Sequence, residues 1–239
     1  MNYAIVIPAR YSSKRLPGKP LLLIKGKPMI VHTYNQCKKV KENLNIYVAT
    51  DSEKIKRVCD NYNIPVIMTS KKCLTGTDRV AEASKKLKEE YIINVQGDEP
   101  IINPRDISSI ILEHKKNKHY VINGYAKISE VNMFKNVNIP KVVFDEKNML
   151  LYMSRSAIPS NKKGMMINAN RQICIYCYSK DYLSKFKSYG RKSNLEKIED
   201  IEILRFLDIG IKVKMIRLSN RSLSVDIKSD LKKITRKIS

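Results

Sequence analysis

At 239 residues, with 43% hydrophobic and 29% charged residues, the chain is long enough to bury a sizeable core and has neither the apolar run of a membrane span nor a Pro-, Gly- or Ser-rich linker. Its net charge of +23, from 46 Lys plus Arg against 23 Asp plus Glu, is spread along helix-like segments such as Ser84-Lys85-Lys86-Leu87-Lys88-Glu89-Glu90 without arginine–aromatic interleaving, so it reads as solvated faces and not as a nucleic-acid surface. Five scattered cysteines do not make a secreted disulfide framework, and the start, MNYAIVIPAR, lacks the pattern of a secretory signal; reduced thiols and a cytoplasmic location are expected.

In chain order, short β-branched runs alternate with amphipathic segments. Strands are predicted at Tyr3 to Ile7, Asn45 to Ala49, Pro65 to Met68 and Tyr91 to Val95, with helices from about Met29, Ser52 and Asp78 between them. Such alternation predicts βαβ crossovers and a mostly parallel, doubly wound α/β sheet. After a helix at Ile107 to Lys116 the pattern becomes strand-rich, through Tyr120 to Ile128, Lys141 to Phe144, Leu150 to Met153 and Ile173 to Tyr178. A small antiparallel extension, roughly residues 120–190, is expected inside a single domain spanning 1–239. A helix at Leu195 to Leu207, a strand at Lys212 to Arg217 and a helix from about Ile227 to Lys237 complete the chain. Cys174 and Cys177 form one C-x-x-C, but on a strand residues i and i+3 point to opposite faces, so the pair is not read as a metal site.

Ligands of such a sheet bind beyond the carboxyl ends of its strands, and motifs stand there. The first strand runs into Pro8-Ala9-Arg10-Tyr11-Ser12-Ser13-Lys14-Arg15-Leu16-Pro17-Gly18-Lys19-Pro20, a loop with four cations suited to a triphosphate and to the charge that gathers on a leaving pyrophosphate; Arg10, Arg15 and Lys19 are the candidates. It matches neither G-x-x-x-x-G-K-[ST] nor G-x-G-x-x-G. The fourth strand ends in Gln96-Gly97-Asp98-Glu99-Pro100, where Gly97 allows close backbone approach and Asp98 is the best candidate for a magnesium ligand. His32 reads as packing and His114 and His119 as surface residues, which disfavours a Ser-His-Asp hydrolase.

Pro8-Ala9-Arg10 through Pro17-Gly18-Lys19-Pro20-Leu21, Gly26-Lys27-Pro28-Met29-Ile30, Ala49-Thr50-Asp51, Thr75-Gly76-Thr77-Asp78-Arg79, Val95-Gln96-Gly97-Asp98-Glu99-Pro100, Ser154-Arg155 with Ile158-Pro159, and Leu195-Glu196 with Glu199, Glu202 and Arg205 stand in this order. Together they resemble the CMP-Kdo synthetase (3-deoxy-manno-octulosonate cytidylyltransferase) family over nearly the whole chain. The resemblance implies a magnesium-dependent homodimeric enzyme in which the anomeric hydroxyl of Kdo attacks the α-phosphate of CTP, releasing pyrophosphate and making CMP-Kdo for lipopolysaccharide. It implies that Arg10, Arg15 and Lys19 hold phosphates, with Arg10, Lys19 and Asp98 the catalytic set. Ala9, Thr75, Gly76, Arg79 and Gln96 would border the nucleotide, and Asp98 and Asp226 would bind metal.

The acceptor side departs from the family. Gln172-Ile173-Cys174-Ile175-Tyr176-Cys177-Tyr178 has Gln172 where histidine is usual and Cys174 where glycine is usual; Ile203 replaces a glutamine, and Cys73 stands where histidine is common. Arg155, Gln172, Tyr176 and Glu202 remain the acceptor-side candidates. Kdo is the first expectation for the acceptor; a modified octulosonate, another 2-keto sugar acid or a phosphonate is the second, and a binding protein without catalysis the third.

Overall fold

The computed structural model describes residues 2–12, 16–225 and 227–238. Arg15 and Asp226, a phosphate and a metal candidate, lie outside the described residues.

The parallel part of the sheet is formed by β1 (Tyr3–Ala9), β4 (Asn45–Thr50), β5 (Val66–Met68) and β6 (Tyr91–Val95), with β1 at the centre between β6 and β4. β1 and β6 are buried along their whole length, which is why neither alternates apolar with exposed polar residues. Between β1 and β4, β2 (Leu23–Ile24) and β3 (Lys27–Pro28) form a small hairpin, and α1 (Met29–Cys37) follows. Next come α2 (Glu53–Asn61), capped by the Ser52 hydroxyl, and α3 (Gly76–Ser84), capped by that of Thr75. After β6, α4 (Pro104–Lys116) starts on an Asn103 cap with proline in its first turn.

Ile5, Ile7, Ile93 and Val95 face α1, α2 and α4 in one apolar cluster, whereas Ala4, Val6 and Ile92 face α3 in another. Period-two alternation along each strand thus feeds two cores, and the sheet is doubly wound as expected.

The remaining elements extend that sheet. These are β7 (Val121–Lys127), α5 (Val131–Lys135), β8 (Lys141–Phe144), β9 (Leu150–Ser154), β10 (Asn170–Ser179), α6 (Lys180–Ser188), α7 (Asn194–Glu199), α8 (Leu204–Asp208), β11 (Val213–Arg217) and α9 (Lys228–Lys237). The main path runs β11-β7-β10-β6-β1-β4-β5, with β8 and β9 branching from β10. Of the seven strands on that path only β10 runs against the rest: it pairs antiparallel with β6 and β7, and β11 pairs parallel with β7. The antiparallel feature therefore lies partly inside the main sheet.

Three local expectations change. The helix expected at Leu195 to Leu207 is two helices, because Asp200 takes a left-handed conformation (φ 52°) at the end of α7. The helix α6 was not foreseen; its apolar contribution to the core is small, Leu183 and Phe186, and packing against α3 stabilises it. His114 is a correction, since it is fully buried against Tyr3 and Tyr91 and not on the surface. Cys174 and Cys177 do fall on opposite faces of β10, one in each cluster.

Candidate active site

The loops after β1 and β6 meet because one position lacks a side chain. A Cβ on Gly97 would stand 2.8 Å from the Pro8 carbonyl oxygen, closer than real contacts allow. The Thr33 hydroxyl of α1 donates to the Gly97 carbonyl at 3.2 Å, and the Val225 amide donates to the Asp98 carbonyl at 3.0 Å. Asp98 is thus held from two sides.

The β1 loop folds back on itself: Gly18, in the left-handed region at φ 67°, donates its amide to the Tyr11 carbonyl, and a 3-10 turn over Lys19–Leu21 begins there with Pro20 inside it. This turn carries the Lys19 ammonium to the Asp98 carboxylate, 2.5 Å away, with the lysine side chain 13% and the aspartate side chain 29% exposed. Ala9 is buried at the end of β1, and Arg10 follows it at the surface.

Thr75, Gly76, Arg79 and Gln96 also come together at this edge. A Cβ on Gly76 would lie 3.2 Å from the Gln96 amide nitrogen and 3.4 Å from a Glu202 carboxylate oxygen. Arg79 is buried; its guanidinium donates to the Thr69 hydroxyl at 2.5 Å and pairs with Asp51 at 3.2 Å. Ala49-Thr50-Asp51 therefore meets the nucleotide-loop motif through Asp51.

The acceptor-side candidates form two groups. Gln172 and Tyr176 are buried, and the Gln172 amide nitrogen donates to the Tyr176 hydroxyl at 3.1 Å and to the Asn123 side-chain Oδ1 at 3.3 Å. Burial pushes the Tyr176 hydroxyl well above the ordinary tyrosine range. Between Ile173, opposite Gly124, and Tyr176, opposite Asn123, Cys174 and Ile175 bulge from the ladder with β7. The Asn123 amide fills that bulge, donating to the carbonyls of Ile173 and Ile175 at 2.9 Å each. Asn123 was missed, though an asparagine–glycine pair inside the apolar run Val121–Lys127 was the available signal.

Glu202 accepts from the amides of Gly76 and Thr77 at 3.0 and 2.7 Å, and burial raises its carboxyl above the usual range. It therefore holds the Gly76-Thr77 start of α3. Arg155 stands apart from Gln172 in its bonding: its guanidinium donates to the carbonyls of Glu199, Val137 and Asp200, using three of an arginine's five N–H donors. Glu199 in turn accepts from Tyr152, Ser154 and the Arg155 amide. The carboxyl of Asp200 is held below its usual range by Lys192, with Arg155 and Arg10 contributing.

Lys141, also missed, is fully buried and donates to the carbonyls of Asn136 and Arg155 at 2.9 and 2.5 Å. Burial, helped by Arg155, takes its ammonium down to about 8. Among the described residues no three His, Cys, Asp or Glu side chains are grouped to hold a metal, and no helix is long and apolar enough to cross a membrane.

A parallel sheet whose strand ends bring a cationic loop, a carboxylate and a capped helix start to one edge has the architecture of a nucleotidyltransferase. The chain belongs to the cytidylyltransferase family, which it matches over residues 4–216, and is a CTP-dependent enzyme of the CMP-Kdo synthetase-like type. It is 35% identical over 246 residues to the 8-amino-3,8-dideoxy-manno-octulosonate cytidylyltransferase of Shewanella baltica strain OS155, and 37% identical over 246 residues to that of Shewanella sp. strain W3-18-1. Both alignments cover 100% of this chain and 99% of the relative. A solved structure of CMP:2-keto-3-deoxy-manno-octonic acid synthetase complexed with CTP is similar at a TM-score of 0.91 and 33% identity, over 100% of this chain and 98% of that one.

Proposed function

We propose that the chain transfers CMP from CTP to the anomeric hydroxyl of a 3-deoxy-manno-octulosonate, with the 8-amino-3,8-dideoxy sugar as the preferred acceptor and Kdo as the alternative. The observation that carries the reading is the Lys19–Asp98 pair at the joined ends of β1 and β6, in a chain aligned along its whole length with octulosonate cytidylyltransferases. The 8-amino acceptor is favoured by those relatives and by a neutral Gln172, whose amide oxygen can accept from an ammonium, in place of the family's usual histidine.

In this reading the sugar oxygen attacks the α-phosphorus, the bond to pyrophosphate breaks and the hydroxyl proton leaves to solvent. In-line displacement needs positioning and charge neutralisation more than covalent help. Arg10 and Lys19 neutralise phosphate oxygens, with Arg15 a further candidate from the same loop; Thr75, Gly76, Arg79, Gln96 and Ala9 border the nucleotide. Gln172, Tyr176 and Glu202 orient acceptor hydroxyls, and Arg155 meets the acceptor carboxylate.

Asp98 fits magnesium, because a partly exposed carboxylate fixed by backbone contacts is the donor that this hard cation combines with substrate phosphates. When bound, magnesium supplies further neutralisation of phosphate charge. Asp98 would hold it, with Asp226 as the second ligand. A homodimer is what the resemblance to the family implies; light scattering tests it.

The acceptor is tested by pyrophosphate release from CTP and magnesium with 8-amino-3,8-dideoxy-manno-octulosonate, Kdo and other 2-keto sugar acids. Turnover highest with the 8-amino sugar is expected. Preference for Kdo would reverse the acceptor order, and no turnover with either octulosonate would refute the reading. Asp98→Asn is expected to abolish turnover while leaving unfolding cooperative; near-normal activity would remove Asp98 from the metal site.

A further inference from the structure

The first turn of α3, which carries the loop proposed to border CTP, is gripped from behind by one segment of the acceptor-side chain. Thr75 and Asp78 close a small ring, in which the Thr75 hydroxyl donates to the Asp78 carboxylate at 2.7 Å and the Asp78 amide donates back to that hydroxyl at 3.1 Å. The same carboxylate receives both terminal nitrogens of Arg205, at 2.8 and 3.2 Å.

The other edge of the Arg205 fork donates to both oxygens of Glu196, at 2.6 and 2.7 Å, and Glu196 is itself fixed by a capping box with Ser193. Arg205 and Glu196 are fully buried, and the guanidinium lies 3.7 Å from the centre of the Phe186 ring. Three residues before Arg205, Glu202 takes the Gly76 and Thr77 amides.

Only arginine can bridge two carboxylates in this way, since its planar fork presents fixed pairs of donors whereas a lysine offers one compact charge. A buried ionic group of this kind is a poor source of net stability compared with apolar packing, but it fixes orientation. We propose that Arg205 is a positioning residue for the nucleotide loop, setting the orientation of residues 75–79 and thereby the affinity for CTP. This rests on the reading that the loop borders CTP.

The test is calorimetric titration of the full-length protein with CTP in the presence of magnesium. In Arg205→Lys the dissociation constant for CTP is expected to rise about tenfold, with an unchanged number of sites per folded molecule. A purely structural role would instead lower the number of sites and leave the dissociation constant unaltered, and that result overturns the proposal. If Arg205→Lys does not fold, Asp78→Asn keeps the shape of the partner and carries the same expectation. Gln96→Ala separates the two levels of the claim. If it weakens CTP binding while the Arg205 and Asp78 variants do not, the positioning role falls alone; if none of them does, the nucleotide loop was misassigned.

Discussion

Gly97 and His114 are two residues whose environments fix what substitution would do. At Gly97 a methyl group would meet the Pro8 carbonyl at 2.8 Å, and neither backbone can retreat without moving a strand end. Gly97→Ala is expected to cost about 1–3 kcal/mol of stability through overpacking. It should also lower kcat/KM by up to about a hundredfold, because Asp98 and Lys19 would be displaced relative to each other. Urea unfolding and initial rates check the two parts, and a variant with wild-type kinetics would show that the contact does not set the site.

His114 accepts or donates at Nδ1 to the Tyr3 hydroxyl at 3.0 Å, and burial takes its pKa down to about 4, with Lys118 assisting and Glu90 opposing. In the unfolded chain the value returns to about 6.5. Between these values the unfolded state binds more protons, so stability rises with pH: the contribution is complete above about 6.5 and is lost as pH falls towards 4. The difference in unfolding free energy between pH 7 and pH 4.5 should therefore shrink by about 2–3 kcal/mol in His114→Phe. An unchanged difference would show that other groups carry the acid sensitivity.

At the scale of elements, β10 and the α7–α8 segment connect the two groups of candidate residues. The reversed strand β10 stands between β6, which ends in Asp98's loop, and β7, whose Asn123 supports the bulge behind Gln172 and Tyr176. Removing that amide leaves two buried carbonyls without their partner. Asn123→Ala is expected to destabilise the protein by about 2–5 kcal/mol and to raise KM for the acceptor more than KM for CTP, measured by denaturant unfolding and steady-state kinetics. Equal changes in both KM values would place the bulge outside the acceptor wall. The break at Asp200 has a comparable effect: it lets α7 offer Glu196 and α8 offer Arg205 to one another, which a continuous helix would hold some turns apart, since they are nine positions apart in the chain.

For the whole molecule, cohesion and chemistry have separate sources. Two apolar clusters on opposite faces of the sheet hold the fold, and a third, around Ile24, Met29, Val225 and Ile234, packs α9 near the β2–β3 hairpin. No carboxylate cluster among the described residues ties elements together through a metal. Chelation with EDTA is therefore expected to stop turnover, with recovery on adding magnesium, while the thermal transition of the nucleotide-free protein stays where it was. A large fall in the transition temperature would point to a structural metal instead.

The sequence by itself determined the alternation of strands and helices, the parallel sheet and the standing of Arg10, Lys19 and Asp98 just beyond strand ends, because apolar periodicity and strand-end motifs are local signals. Loops at 8–20 and 96–100 could be read as one site since strand ends in such a sheet converge. Only the tertiary structure decided the rest. The reversal of β10 inside the sheet, the burial of His114 and Lys141, the bulge filled by Asn123 and the grip of Glu202 and Arg205 on α3 all depend on partners distant in the chain. Arg205 and Asp78 are separated by 127 positions, and no local pattern announces that their charges will share one buried space.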